Sequence, residues 1–392
     1  MLEEKAFRFL SISRILRSIT LSYSTLALPL YMEALGYSPV IIGLSFLGMT
    51  VSTVSLLLFY SYLGDRIGYR FVLIIAESLL TFSAILLAYT SNLSIIIGAA
   101  SLGGFGGQGA GGMRGGFGPG SSALVASLYK EQKERLKRIS RLTFIGGISS
   151  IAGTGLLSLH GQLSILEGNL GAFRILYAAS ACIAFASAVI LSFIHEPQRP
   201  KKRSIILTRQ SSLFVSKIAL SNFASGLGIG LAIPLLPLWF SVFYNFTPTQ
   251  ISVVFTLSSL ASAVASLFSS RFPSPIISAS LTRLINGLLL IAMAFSHLGW
   301  LSALLYIFRG MSAGIGAPSR SVVTLSGIGE DEFGAASSIT AIPTRLAMGI
   351  SALSGYLMLI SQELPLALGG VLQAAGGALY YRLLKDSRTS AK

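Results

Sequence analysis

Ten residues with the sequence SYLGDRIGYR, Ser61 to Arg70, decide how this chain folds. They combine an acid and two arginines with two glycines, and they separate two long apolar runs, residues 39–60 and 71–90. Each run has about the 20 residues that an α-helix needs to cross a bilayer. The stretch is therefore predicted to be a short polar turn between two membrane-spanning helices.

Apolar runs of this kind recur along the whole chain. Of the 392 residues, 53% are hydrophobic and 11% are charged, whereas soluble globular proteins carry roughly 25% charged residues. This shortage of charge excludes a soluble enzyme. The runs predict an all-α membrane protein with twelve transmembrane helices, over residues 11–34, 39–60, 71–90, 94–126, 142–160, 174–194, 213–241, 249–270, 276–296, 299–320, 334–359 and 364–384.

The segments between these helices differ in charge. Lysine and arginine collect at the termini and in alternate loops, as at residues 130–138 and 199–209, whereas the opposite loops hold almost none apart from Arg174. Because cytoplasmic loops collect basic residues, we expect a multi-pass protein of the plasma membrane with both termini in the cytoplasm. The formal net charge of +15 then reflects orientation, and without a basic-aromatic readout motif it predicts no nucleic-acid partner.

The sequence divides into two similar halves. A basic connection at residues 195–209 lies near the middle, and LPLY at residues 28–31 corresponds to LPLW at residues 236–239. Two such repeats are typical of secondary transporters, which bind their solute near the bilayer midplane. The predicted domains are a six-helix bundle over 1–194, a cytoplasmic linker over 195–212 and a second six-helix bundle over 213–392.

The turn SYLGDRIGYR resembles the signature of the major facilitator superfamily, G-x-x-x-D-[RK]-x-G-[RK]-[RK], which that family carries between its second and third helices. Ser61 replaces the first glycine of the signature, and Tyr69 replaces a basic residue. The resemblance extends over nearly the whole chain and implies two pseudo-symmetric six-helix bundles, with helices 1, 4, 7 and 10 around a cavity. Four positions match the signature: Asp65, Arg66, Gly68 and Arg70.

The resemblance also implies that these four residues form a conformational latch. Asp65 would dock near the start of the eleventh helix and hold the two halves together on the cytoplasmic side. A carboxylate can accept hydrogen bonds from the free N–H groups of a helix N-terminus, and Gly68 would permit a tight turn. The alternative is a solvated Asp-Arg turn with no latch function.

Charged residues at bilayer depth normally face a cavity or a partner. Arg114, Arg309 and Arg345 fall inside the predicted spans and are candidates for binding an anionic group through forked hydrogen bonds. The alternative for each arginine is to satisfy backbone carbonyls or a helix end. Tyr23 and Asn222 complete the set of substrate-binding candidates.

Acids are scarcer than arginines in the predicted spans. Glu77 is the one acid placed firmly within a span, which makes it the candidate for proton coupling; an ion pair between helices is the alternative. Arg283 lies near the cytoplasmic end of the ninth helix. Another group of basic residues lies close to cytoplasmic helix starts and is expected to extend to the membrane surface: Arg14, Arg17 and Lys217.

A glycine-rich tract at residues 103–120 contains G-x-G-x-x-G from Gly104. A dinucleotide site would need a preceding strand and a βαβ unit, which an all-helical chain does not provide. The tract is therefore either a close-packed helix or an outer segment, and both alternatives stay open. One cysteine, Cys182, and three widely separated histidines predict no metal site, and we expect no cofactor.

Together these features predict a secondary active transporter that moves a small organic solute by alternating access, as an efflux carrier or an organic-anion carrier. We expect a monomer without enzymatic activity, whose partners are the solute, the lipid bilayer and, in a coupled carrier, an ion or proton. A non-transporting sensor and a membrane-embedded enzyme are the alternatives; the enzyme would need clustered His, Asp or Glu. The acid-poor, arginine-rich interior favours an anion.

The latch hypothesis makes a direct prediction for Asp65→Asn. The variant loses the carboxylate charge but keeps the size of the side chain, so transport into vesicles should fall while the amount of protein in the membrane stays the same. Transport that matches the parent protein would contradict a latch.

Overall fold

The computed structural model describes residues 2–106, 117–129, 131–196, 208–272, 274–326, 340 and 342–385. Within these ranges the chain is helical and contains no β-strand. Six of the described segments are long and apolar enough to cross a membrane, judged by length and composition alone: Pro39–Leu56, Tyr69–Tyr89, Lys137–Ser192, Ser211–Tyr244, Pro248–Ser266 and Pro275–Ala294.

Seven α-helices are described in the first half of the sequence. They are α1 (Leu2–Ala34), α2 (Pro39–Ile67), α3 (Tyr69–Tyr89), α4 (Leu93–Gly103), α5 (Phe117–Leu128), α6 (Gln132–Leu156) and α7 (His160–Ser192). The fourth span, predicted as one helix over 94–126, is interrupted: α4 ends at Gly103, and Gly104 adopts a left-handed φ of 76°. Glycine reaches this conformation without steric cost and commonly ends helices. Residues 107–116, including Arg114, lie outside the described part of the chain.

Eight further helices are described in the second half. They are α8 (Arg209–Ala232), α9 (Leu236–Tyr244), α10 (Pro248–Ser266), α11 (Pro275–Ala294), α12 (Gly299–Ser326), α13 (342–347), α14 (Ser351–Ile360) and α15 (Leu364–Lys385). The seventh span is broken between α8 and α9, where Pro234 and Pro237 lack backbone donors. A 3₁₀ turn, Met348–Ile350, joins α13 to α14 in the eleventh span. This helix order confirms the predicted twelve-span fold.

The chain forms two compact units. Unit 1 contains Met1–Tyr37, Gly48–Lys202 and Phe246–Thr256, and unit 2 contains Ser38–Leu47, Arg203–Asn245 and Leu257–Lys392. Each unit thus includes one short helical segment from the other half of the sequence. The domain boundaries near residues 195 and 212 stay a prediction.

In unit 2, α8 and α11 each cross α15 at a glycine, with the two backbones in direct contact. A Cβ on Gly287 of α11 would stand 2.6 Å from the backbone nitrogen of Ala374, and a Cβ on Gly228 of α8 would stand 2.5 Å from that of Gln373. Both contacts are with α15, and only glycine leaves room for them, because small residues let transmembrane helices approach closely. The crossing at Gly228 places the Cβ of Gln373 against α8.

Candidate functional site

A partly open cavity of about 460 Å³ is lined by residues of unit 2 on α8, α11, α12, α13 and α15. Three arginines line it: Arg283, Arg309 and Arg320. Within the described part of the chain, no carboxylate lines the cavity and none forms an ion pair with these arginines. Because arginine cannot be deprotonated in proteins, the cavity carries three positive charges from its wall.

Arg283 is held at one end of the cavity by uncharged groups. Its Nη1 donates to Oγ of Ser221 at 3.0 Å, and its Nη2 donates to Oδ1 of Asn222 at 2.5 Å. Its guanidinium carbon lies 4.4 Å from the centre of the Tyr380 ring. These contacts orient the guanidinium group without neutralising its charge.

Arg320 lies at the same end as Arg283. Its Nη1 is 2.8 Å from the position that a Cβ on Gly316 would occupy, and the hydroxyl of Thr282, the neighbour of Arg283, packs against the same glycine. The inward approach of α12 at Gly316 therefore brings the two guanidinium groups to a common depth. We call Arg283 and Arg320 the paired arginines.

Arg309 lies at the other end of the cavity on the same helix as Arg320. Eleven residues of α12 separate them, which is roughly 16 Å along the axis and within roughly 20° of the same helix face. Both side chains extend toward the N-terminus of α12, since Arg309 lies 5.8 Å from the ring of Tyr306 and Arg320 reaches Gly316. Ala313 and Ala317 lie between them and leave the cavity open.

Uncharged polar groups occupy the middle of the cavity. Ser225, Asn286 and Gln373 are buried and line this space. Tyr380, beside Arg283 at one end, is buried as well. Buried polar atoms in proteins almost always have a hydrogen-bond partner. Five atoms around this cavity have none among the described residues: Ser225 Oγ, Asn286 Oδ1, Arg309 Nε, Gln373 Oε1 and the Tyr380 hydroxyl.

In unit 1, one buried arginine forms an ion pair with a buried acid. Nη1 of Arg17 lies 2.6 Å from Oε1 of Glu77, with the two side chains 2% and 0% exposed. Arg14 is also fully buried, and its Nε donates to the carbonyl of Leu142. The expectation that Arg14 and Arg17 extend to the membrane surface is therefore wrong, because packing of α1 against α6 and α7 encloses them. Lys217 is exposed.

Positions that correspond between the two sequence halves carry different residues. A shift of 208 residues, which aligns Pro29 with Pro237, aligns Arg14 with Asn222. A shift of 206 residues, which aligns the first residues of α3 and α11, aligns Glu77 with Arg283. An acid that pairs with arginine in unit 1 thus corresponds to an arginine without an acid in unit 2.

Only some of the predicted substrate-binding residues line the cavity. Asn222 and Arg309 line the cavity of unit 2. Tyr23 is fully buried in unit 1, where its hydroxyl donates to the carbonyl of Phe173 and its ring packs against Tyr177. Arg345, in α13, is not among the lining residues.

The signature turn is more helical than predicted. α2 continues through Arg66 to Ile67 instead of ending near residue 60, and Gly68 breaks the helix with a φ of 98°. The backbone N–H of Arg70 donates to Oε2 of Glu196 at 2.7 Å, which caps the start of α3. The side chain of Asp65 lies outside the described part of the structure.

Several polar cavity residues were missed from the sequence, among them Ser225, Asn286, Arg320, Gln373 and Tyr380. Arg320 had a usable signal, because Arg309, Ala313, Ala317 and Arg320 form one stripe on a helix. The two carboxamides had none, since their depth and direction depend on the glycine crossings between α8, α11 and α15.

Comparisons with known proteins agree with this architecture. The family model of the Major Facilitator Superfamily matches residues 10–217, just over half of the chain. No curated protein matches the sequence. Among solved structures, a D-xylose-proton symporter is 14% identical with a TM-score of 0.75, and the match covers 98% of both chains.

Two further structures show the same fold. A variant of the nucleoside transporter NupG is 14% identical with a TM-score of 0.72, over 99% of this chain and 100% of its own. The human organic anion transporter MFSD10 is 14% identical with a TM-score of 0.66, over 97% of this chain and 100% of its own. At this level of identity the matches establish the fold alone.

The buried pair in unit 1 predicts that Glu77→Gln is strongly destabilising. The change leaves Arg17 buried without its acid, which typically costs about 3–5 kcal/mol. Replacing both residues, Arg17→Met with Glu77→Met, should recover part of the loss, because apolar residues of similar volume remove both charges of the pair while the neighbouring Arg14 stays buried. Thermal unfolding of the purified protein measures both effects.

Glu131→Gln provides the matched control, because Glu131 is exposed at the start of α6 and makes no capping hydrogen bond there. Its unfolding temperature should equal that of the parent. A Glu77→Gln variant of normal stability whose transport no longer depends on pH would instead favour proton coupling by Glu77.

Proposed function

Because the chain belongs to the major facilitator superfamily, we propose that it is a secondary active transporter of a small organic anion, which it moves by alternating access. One observation carries the proposal. Arg283, Arg309 and Arg320 line one cavity, and no described carboxylate balances their charge.

The cost of the arginine charges supports an anionic cargo. An ionised side chain placed in a membrane interior costs several kcal/mol unless it faces a cavity or a counter-charge. A bound anion would supply that counter-charge and would form charge-assisted hydrogen bonds, which are roughly twice as strong as neutral ones. A neutral or cationic solute would leave the three arginines without a counter-charge among the described residues.

The structural neighbours support transport but do not decide the cargo. Proteins of this fold include a nucleoside transporter, a D-xylose-proton symporter and an organic anion transporter. Since one fold serves different solutes, the cargo must be argued from the cavity. The arginines of the cavity agree with an organic anion as the solute.

The energy source and orientation are also part of the proposal. The sequence contains no G-x-x-x-x-G-K-[ST] phosphate loop, which supports transport driven by solute or ion gradients. The one-sided distribution of basic residues supports cytoplasmic termini. A soluble reporter fused at Ser204 should therefore remain inside the cell, and its appearance outside would contradict this orientation.

The latch remains a proposal of the same kind. Gly68 allows α2 and α3 to meet in a sharp turn, and Glu196 holds the first turn of α3 against the end of α7. A firmly held turn would transmit the docking of Asp65 to both helices.

The anion proposal predicts which solutes stabilise the purified protein. In a thermal-unfolding screen of anions, sugars, amino acids and lipophilic cations, stabilisation should come from anions. Arg309→Gln and Arg320→Gln should each weaken the binding of such an anion by about tenfold or more, since a hydrogen bond to a charged group contributes about 1.5–3 kcal/mol.

Arg271→Gln is the matched control, because Arg271 is exposed and stacks on Phe268 outside the cavity. It removes the same charge from unit 2 and should leave anion binding unchanged. Stabilisation by cations alone, or equal losses in all three variants, would overturn the proposal.

A further inference from the structure

We propose that the transported anion is a linear, polyhydroxylated organic dianion, with one anionic group at each end and hydroxyl groups between them. This inference rests on the proposed function and specifies its substrate class. It follows from the order of chemical groups along the cavity: arginines at both ends, and carboxamide and hydroxyl groups in the middle.

The first step concerns the two charged ends. The paired arginines occupy one end, where Arg283 is fixed by Ser221 and Asn222. Arg309 occupies the other end, roughly 16 Å from Arg320 along the same face of α12. A single compact anion would neutralise one end and leave the other without a counter-charge, so the arrangement favours two anionic groups on one molecule.

The second step concerns the unpartnered groups between the ends. Asn286 and Gln373 each have a carboxamide oxygen without a partner among the described residues, and the same is true of Oγ of Ser225. These side chains are each 3% exposed, so bulk water does not reach them freely. Carboxamide oxygens accept hydrogen bonds, so a solute with donors in its middle would satisfy them.

Hydroxyl groups match this requirement. A carboxamide presents both an acceptor oxygen and donor N–H groups, and a hydroxyl can donate and accept at once. An apolar chain in the same place would leave the buried acceptors unsatisfied. Sites built to hydrogen-bond a substrate hydroxyl therefore reject the analogue that lacks it.

The third step concerns length. A fully extended six-carbon chain places its terminal carbons roughly 6 Å apart, and a bidentate arginine contact adds about 4 Å between carbons at each end. The total, about 14 Å, is close to the axial spacing of Arg309 and Arg320. A six-carbon sugar diacid thus fits the distance, and the alanines between the arginines leave room for its body.

A matched six-carbon series tests the proposal on the unmodified protein. Titration calorimetry with glucarate, adipate, gluconate, hexanoate and sorbitol separates charge from hydroxylation. Glucarate should bind at least tenfold more tightly than adipate, which has both charges but no hydroxyls. It should also bind at least tenfold more tightly than gluconate, which keeps the hydroxyls but has one charge.

Two variants test which residues produce the preference for hydroxyl groups and the preference for a second charge. Gln373→Met should lower the ratio of glucarate to adipate affinity at least fivefold, because it removes a hydroxyl partner in the middle of the cavity. Arg309→Gln should lower the ratio of glucarate to gluconate affinity by a similar factor. Leu372→Met, a neighbouring change on α15 outside the cavity lining, is the control and should leave both ratios unchanged.

The outcomes separate this inference from the proposed function. Equal binding of glucarate and adipate, or of glucarate and gluconate, would overturn the hydroxylated dianion while leaving an anion carrier in place. Tight binding of sorbitol with no binding of any anion in the series would overturn both. Tighter binding of glucose 6-phosphate than of glucarate would place both charges at the paired arginines and would overturn the two-ended arrangement.

Discussion

An arginine charge inside a membrane needs a counter-charge, a polar cavity or backbone carbonyls, and the two units of the protein meet this requirement in different ways. In unit 1 the chain supplies a counter-charge for Arg17, through its short contact with Glu77. The neighbouring Arg14 is buried without an ion pair of its own and donates to the carbonyl of Leu142. In unit 2 the described chain supplies none for Arg283, Arg309 or Arg320. The described chain thus pairs Arg17 internally, whereas under the proposed function a bound anion would supply the counter-charge for the arginines of unit 2.

This contrast gives the two sequence halves different tasks. Equivalent positions on α3 and α11 carry Glu77 and Arg283, so an internal ion pair in one half corresponds to an open cationic position in the other. The duplicated fold keeps the helix packing of both halves similar in kind. The two halves differ in the charge of a few side chains at corresponding positions of their helices.

The fold was predictable from the sequence because it depends on the length of apolar runs and on a short signature. Two of the predicted substrate-binding residues, Asn222 and Arg309, line the cavity, and their role in binding stays a prediction. The direction in which a side chain points was harder to predict from the sequence. Tyr23 packs into an aromatic cluster, and Arg14 and Arg17 are enclosed by neighbouring helices. Asn286 and Gln373 join the site only through contacts between helices distant in sequence, which a linear pattern does not record.

The glycine crossings of unit 2 have a mechanical consequence. At Gly228 and Gly287, α8 and α11 meet α15 with no side chain between the backbones, and close-packed interiors have low compressibility. This side of the cavity therefore behaves as a stiff wall that holds its carboxamides at fixed positions. Adaptation to solutes of different length must come from the opposite side, where α12 carries two long arginine side chains with rotatable bonds. Discrimination of hydroxyl stereochemistry would then be strict, and discrimination of chain length would be permissive.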